Sequence, residues 1–278
     1  MTNTEQNGFL SHLYTMGYGE EYLQFIAFHD VEDIVGYFLA CLEPGARVLD
    51  LGSGPGYLSV GLAEFVTPGK VYGVDIEPSQ VLLAQQIARS RQCENAFFQV
   101  ADVVDLPFED ASFDFVHCND VLAYVPDTAA VLSEAKRVLK PGGILGCREV
   151  IVDSSFVHPD HGALSRGWEV FADLLTADDG HPQIGKDLKG HLVCMGFTNV
   201  RGSFSWETYS EPEELAHFFA MIQGWFLSSD VTEGAKLYGA ATDELFDAIA
   251  DEVGRWRADP NALAAIAFGE VLGRAPLS

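Results

Sequence analysis

The stretch Val48-Leu49-Asp50-Leu51-Gly52-Ser53-Gly54-Pro55-Gly56 constrains this chain more than any other. Arg47 to Leu51 is a short apolar run of the length of a buried parallel strand. It stops in three glycines at alternate positions. Tyr57 to Val66 then reads as a helix, with Leu58, Leu62 and Phe65 at helical spacing. Strand, glycine turn and helix together make a nucleotide-type site. Glycines let the backbone turn sharply and approach a ligand with no Cβ in the way. Free N–H groups at the start of the helix can face a carboxylate or a phosphate.

The dinucleotide fingerprint G-x-G-x-x-G needs a glycine where this chain has Tyr57. The pattern present is D-x-G-x-G-x-G, from Asp50 to Gly56. A second strand, Lys70 to Asp75, ends in Gly73-Val74-Asp75-Ile76-Glu77-Pro78. Asp75 thus sits at the tip of the neighbouring strand, where a carboxylate can accept two hydrogen bonds from a ribose diol.

Around this pair the chain alternates strand and helix. A helix from Pro78 to Gln92 opens with proline in its first turn. Strands follow at 96–101 and 113–118. Asp127 caps a helix to Leu139, and Lys140-Pro141-Gly142-Gly143 turns into a fifth strand at 144–151. Repeated βα units imply a parallel sheet. Helical patterns over 9–43, broken at Gly17-Tyr18-Gly19, read as an N-terminal cap. After the fifth strand the rhythm breaks. Residues 153–181 read as an insertion with a helix near 163–175. A helix at 186–195 and a strand at 198–204 restore the alternation. Residues 211–256 are helical and rich in Phe218, Phe219, Trp225 and Phe226. Ala264 to Leu272 fits a helix or a closing strand and is read as a strand.

Charge narrows the partners. Sixteen basic and 41 acidic residues give a net charge of −25. Nucleic-acid affinity rests on neutralising phosphates with Lys and Arg, so such a surface disfavours nucleic acid as partner. No apolar run reaches membrane-spanning length, and the polar start of the chain lacks a signal-peptide core. Five widely spaced cysteines without C-x-x-C fit a reducing cytoplasm rather than a disulfide or zinc framework.

The motifs VLDLGSGPG, GVDIEP, ADVVDLPFEDASFDFVHCNDVLAYVPD and SEAKRVLKPGG stand in order over residues 44–147. Here the chain resembles class I S-adenosylmethionine-dependent methyltransferases, most closely the ubiquinone/menaquinone-biosynthesis type. The resemblance implies an α/β, Rossmann-like fold with a seven-stranded, mostly parallel sheet of order 3-2-1-4-5-7-6. Residues 1–43 would be a helical cap. Residues 44–278 would be the methyltransferase domain, with lid insertions at about 153–181 and 211–258. It implies S-adenosyl-L-methionine as cofactor. Gly52, Ser53, Gly54 and Gly56 would line its methionine and ribose, with Asp50 close to the methionine amino group. Asp75 would take the ribose hydroxyls and Ile76 would lie against the adenine. Asp102 would accept from the adenine amino group beside the Val103 amide. Asn119 would offer its carbonyl to the methionine end, a role for which Asp120 competes. The partner implied is a small-molecule methyl acceptor, for a monomer or homodimer.

Methyl transfer from a sulfonium is an in-line displacement, so holding the nucleophile and excluding water matter most. A base is needed only where the nucleophile must lose a proton. Glu149, near the end of strand five, is placed to point into the mouth as a proton acceptor or a cation holder, or to pair with an arginine. His158 is a candidate base within Val157-His158-Pro159-Asp160-His161. With His161 it has metal-like spacing but no third ligand, so no metal is expected. Tyr14, Tyr18, Tyr22 and His29 read as an aromatic cap, His117 as a core histidine, and 218–226 as core. The expected function is O- or C-methylation of a small, mostly apolar molecule. Cyclisation, decarboxylation or isomerisation on the same cofactor stays open, as does a non-catalytic cofactor-binding protein.

Overall fold

The computed structural model describes residues 31–277. The cap readings at Tyr14, Tyr18, Tyr22 and His29 lie outside the described residues. The chain divides into two compact units. One holds 31–149, 184–205 and 268–277; the other holds 150–183 and 206–267.

The first unit opens with α1 (Val31–Leu39), then β1 (Arg47–Leu51), α2 (Tyr57–Val66), β2 (Lys70–Asp75), α3 (Pro78–Ser90), β3 (Ala96–Val100) and β4 (Phe113–Asn119). A 3-10 turn (Leu122–Tyr124), α4 (Thr128–Val138) and β5 (Leu139–Val150) follow. Then β6 (Phe156–His158) and α5 (Ala163–Ala177) precede α6 (Ile184–Cys194) and β7 (Thr198–Tyr209). Three helices, α7 (Pro212–Leu227), α8 (Ser229–Tyr238) and α9 (Asp243–Arg257), lead to β8 (Leu263–Arg274).

The strand order is β3-β2-β1-β4-β5-β8-β6, with β7 pairing β8. β1 is parallel to β2 and to β4, β2 to β3, and β4 to β5. This is the order expected from the sequence, with one strand added. β6, inside the 153–181 insertion, runs antiparallel along Leu263–Ala265. Three residues are too short a run to show an alternation pattern, which is why the sequence read them as loop.

Two strand boundaries differ from expectation by five residues. β5 starts at Leu139, not after Gly143, because Leu139 already pairs with Phe113 across a register shift in β4. The Gly142 amide meanwhile bonds to the Ala275 carbonyl at 3.2 Å, so the turn-like Lys140–Gly143 is held between two strands. β7 runs to Tyr209, five residues past the expected end.

The central strand β1 is buried from Val48 to Leu51. Ile34, Val35 and Phe38 of α1 pack with Val48, Leu62, Val71, Phe115 and Ile144. A fully buried Phe such as Phe38 is worth about 1.5–3 kcal/mol relative to exposure. On α3, Val81, Ala84 and Ile87 close against Val60 and Phe98. Glu77 caps α3 by accepting from the Ser79 amide at 3.0 Å, with Pro78 at the first helical position.

The second unit is aromatic inside. Phe171 stacks on Trp225 at 5.3 Å, and Trp168 meets Trp225 and Phe226 edge-on. The 218–226 stripe is therefore core, as its spacing suggests. Glu252 of α9, 2% exposed, accepts from the amides of His161 and Ala163 at the start of α5. An acid there satisfies otherwise orphaned N–H groups and opposes the helix dipole. No helix among the described residues is long and apolar enough to cross a membrane.

Candidate functional site

The site is built at the tips of β1, β2 and β4. Gly52, Gly54 and Gly56 all have positive φ, at +62°, +50° and +82°. Gly56 is also packed: a Cβ there would lie 2.7 Å from Ala84 and 2.9 Å from the Phe98 ring. At Gly54 a Cβ would meet nothing within 4 Å. Among the described residues Gly54 is thus bare on its side-chain side, which is what a close ligand approach requires.

Asp75 reaches over this turn from β2. One carboxylate oxygen accepts from the Gly54 amide at 2.8 Å, the other from the Glu77 amide at 2.9 Å. Burial pushes its pKa above the ordinary value against the pull of those two amides. Each oxygen keeps a lone pair for a further donor. Ser53 donates its amide to Val74 at 2.8 Å, while its buried Oγ has no partner among the described residues.

Asp50 is 3% exposed. It accepts from Ser59 Oγ at 2.5 Å and faces His117 Nδ1 at 2.9 Å. Ile76, next to Asp75, is 65% exposed. Asp102 is exposed and accepts from the Val104 amide at 3.0 Å, and Val103 beside it is buried. Asn119, half-buried at the end of β4, accepts from Arg148 Nη1 at 3.4 Å and donates toward Asp120 at 3.4 Å. The structure thus gathers Asp50, Gly52–Gly56, Asp75 and Asn119 around three adjacent strand tips, with Asp102 just past β3.

Glu149 is placed differently from the position its sequence number suggests. Its side chain is fully buried rather than open to solvent. It accepts from the amides of Val121, Leu122 and Ala123 at 3.1, 2.9 and 3.1 Å. Burial, with the negative charge of Asp120, pushes its pKa up to about 8 against those amides. The arginine beside it in sequence, Arg148, points to the opposite face and lies 3.9 Å from Glu270. His158 ends β6 with an exposed side chain, and its carbonyl accepts from Trp256 Nε1 at 2.9 Å. Glu149 and His158 belong to different units.

Sequence reasoning missed Ser59 and the Asp50–His117 contact. The signal was available: β1 and β4 are parallel neighbours, and their register sets Asp50 against His117.

Residues 42–166 match the family described as a methyltransferase domain. An uncharacterized methyltransferase of Schizosaccharomyces pombe is 31% identical over 64% of this chain and 66% of its own length. A demethylmenaquinone methyltransferase of Geobacillus stearothermophilus is 38% identical over 39% of this chain and 47% of its own. Over residues 42–166 this chain is similar to methyltransferase domains.

The fold agrees. A Haemonchus contortus phosphoethanolamine N-methyltransferase in complex with S-adenosyl-L-methionine superposes with a TM-score of 0.55 at 18% identity, covering 97% of this chain and 57% of that one. The chain spans less than two thirds of the length of these relatives. The residues of the methyltransferase domain fit its cofactor, S-adenosylmethionine. The unpartnered Ser53 Oγ, the open side of Gly54 and the spare lone pairs of Asp75 offer a donor, room and acceptors at one place.

Proposed function

We propose that the protein transfers the methyl group of S-adenosylmethionine to an oxygen or carbon of a small, mostly apolar acceptor such as a phenol or quinol. The observation that carries this reading is the Asp75 carboxylate fixed over the bare Gly54, in a domain of this family. The acceptor class draws support from the relative named for demethylmenaquinone. In this reading the insertions at about 153–181 and 211–258, with the 1–43 cap, select the acceptor.

When bound, the cofactor supplies a methyl group activated on a sulfonium. In this reading Asp75 accepts from the ribose hydroxyls. Gly52, Ser53, Gly54 and Gly56 bracket the ribose and methionine, with Asp50 behind them near the amino group. Ile76 gives an apolar face to the adenine, and Asp102 and the Val103 amide address its edge. Asn119 meets the methionine end. Glu149 works as a fixed acceptor for the 121–123 amides, which shapes the loop after β4. His158 remains the side chain proposed to accept a proton where the acceptor must lose one.

The test is incubation with isotopically labelled S-adenosylmethionine and a panel of phenols, quinols and polyketide-like acceptors, read by product mass. A labelled methyl in the product supports the reading. Rearranged acceptor of unchanged composition would favour cyclisation or isomerisation instead. Turnover confined to amines or peptides would contradict the acceptor class.

A further inference from the structure

Asp50, Ser59 and His117 form a closed polar cluster in an otherwise apolar layer. Ser59 and His117 are 0% exposed and Asp50 3%. Asp50 sits one residue before the last of β1, Ser59 in the first turn of α2, and His117 on β4. The Gly52–Gly56 turn joins the first two of these elements, and β4 pairs beside β1. The Asp50 carboxylate can only accept, so Ser59 Oγ and His117 Nδ1 are the donors, at 2.5 and 2.9 Å. The far side of the imidazole faces apolar surroundings. The Phe38 ring of α1 lies 5.2 Å away, and His117 Nε2 is buried without a partner among the described residues. One ring nitrogen is therefore engaged, and its partner is the acid that leads into the turn.

We infer that His117 is a positioning residue of the cofactor site: its Nδ1–H holds Asp50, and through Asp50 the Gly52–Gly56 turn, in the geometry that receives S-adenosylmethionine. The inference rests on the reading that this turn takes that cofactor. Ser59 supplies the second hold on the same carboxylate. A buried carboxylate with one donor removed must find another or take up a proton, and either response moves the strand tip from which the turn departs. His117 itself touches no reacting group.

Three variants separate hydrogen bonding from packing. H117N places an amide N–H near the position of Nδ1. H117Q carries the same amide out to the position of Nε2. H117L keeps apolar bulk with no donor. The readouts are calorimetric affinity for S-adenosylhomocysteine, KM for the acceptor, and melting temperature. The expected result is that H117N binds within about threefold of the unmodified protein, while H117L and H117Q bind about tenfold or more weakly, with acceptor KM unchanged. Should H117L fail to fold, H117Q against H117N decides the question alone. Equal affinity for H117Q and H117N, or for H117L and the unmodified protein, would overturn the inference in favour of packing. Failure of the unmodified protein itself to bind would instead overturn the cofactor reading.

Discussion

Gly54 and Gly56 share a residue type and a positive φ, yet only Gly56 is filled around by side chains. The difference can be measured. G54A carries the cost of a left-handed backbone, about 1–2 kcal/mol, and puts a methyl group into open space where ligand should lie. Cofactor affinity should fall about tenfold or more while the fold persists. G56A adds overlap with Ala84 and Phe98, about 1–3 kcal/mol more, and should lower the melting temperature further than G54A does. Equal melting temperatures would show that the α2–α3 packing yields. Asp75→Ala removes the acceptor for the Gly54 and Glu77 amides as well as the proposed ribose contact. It should weaken cofactor binding by about 1–3 kcal/mol in a calorimetric titration; unchanged affinity would displace Asp75 from the site.

Glu149 shows what a sequence leaves out at this scale. Its position at the end of a strand was legible, but the face it points to depends on the register of β5 against β4, with Asn119 opposite Arg148. The loop after β4 then folds back over it and supplies the three amides, a contact 26–28 residues away that the local sequence does not show. Its pH behaviour follows. The folded pKa, about 8, lies above the ordinary 4.5. Between those values the unfolded chain gives up the proton while the folded chain keeps it, so stability from this group declines as pH rises through that window and levels above it. E149Q cannot titrate. Its amide also faces one backbone N–H as a donor, so it should melt below the unmodified protein near pH 5. The gap should narrow toward pH 8, as read by melting curves across that range. A gap that widened with pH would reverse the sign.

Elements were more legible than side chains. The alternation of strands and helices up to β5 and the helical stretch after 211 follow from apolar periodicity and punctuation, while the strand order comes from the family resemblance and the 264–272 pattern fits helix as well as strand. β6 was too short to repeat a pattern, and the starting point of β5 depended on pairing rather than on its own residues. One contact between elements sets a sharp limit. Gly269 in β8 lies against the first turn of α6, and a Cβ there would come 1.8 Å from the Gly185 carbonyl oxygen. Backbone cannot swing aside as a side chain can. G269A should cost about 3 kcal/mol in denaturant unfolding, and a loss under about 1 kcal/mol would mean that α6 shifts freely.

For the whole molecule, a net charge of −25 is a self-repelling field. Added salt should screen it and raise the melting temperature between low salt and about 0.5 M sodium chloride; a flat or falling profile would show that local ion pairs outweigh the net field. The same charge argues against nucleic acid as acceptor. The central claim is that this chain takes S-adenosylmethionine at the β1–β2 tips. The direct measurement is calorimetric titration of the full chain with S-adenosylmethionine, S-adenosylhomocysteine and NAD. The account predicts micromolar binding of the first two and none of the third. Binding of NAD alone, or of none of them, would contradict it.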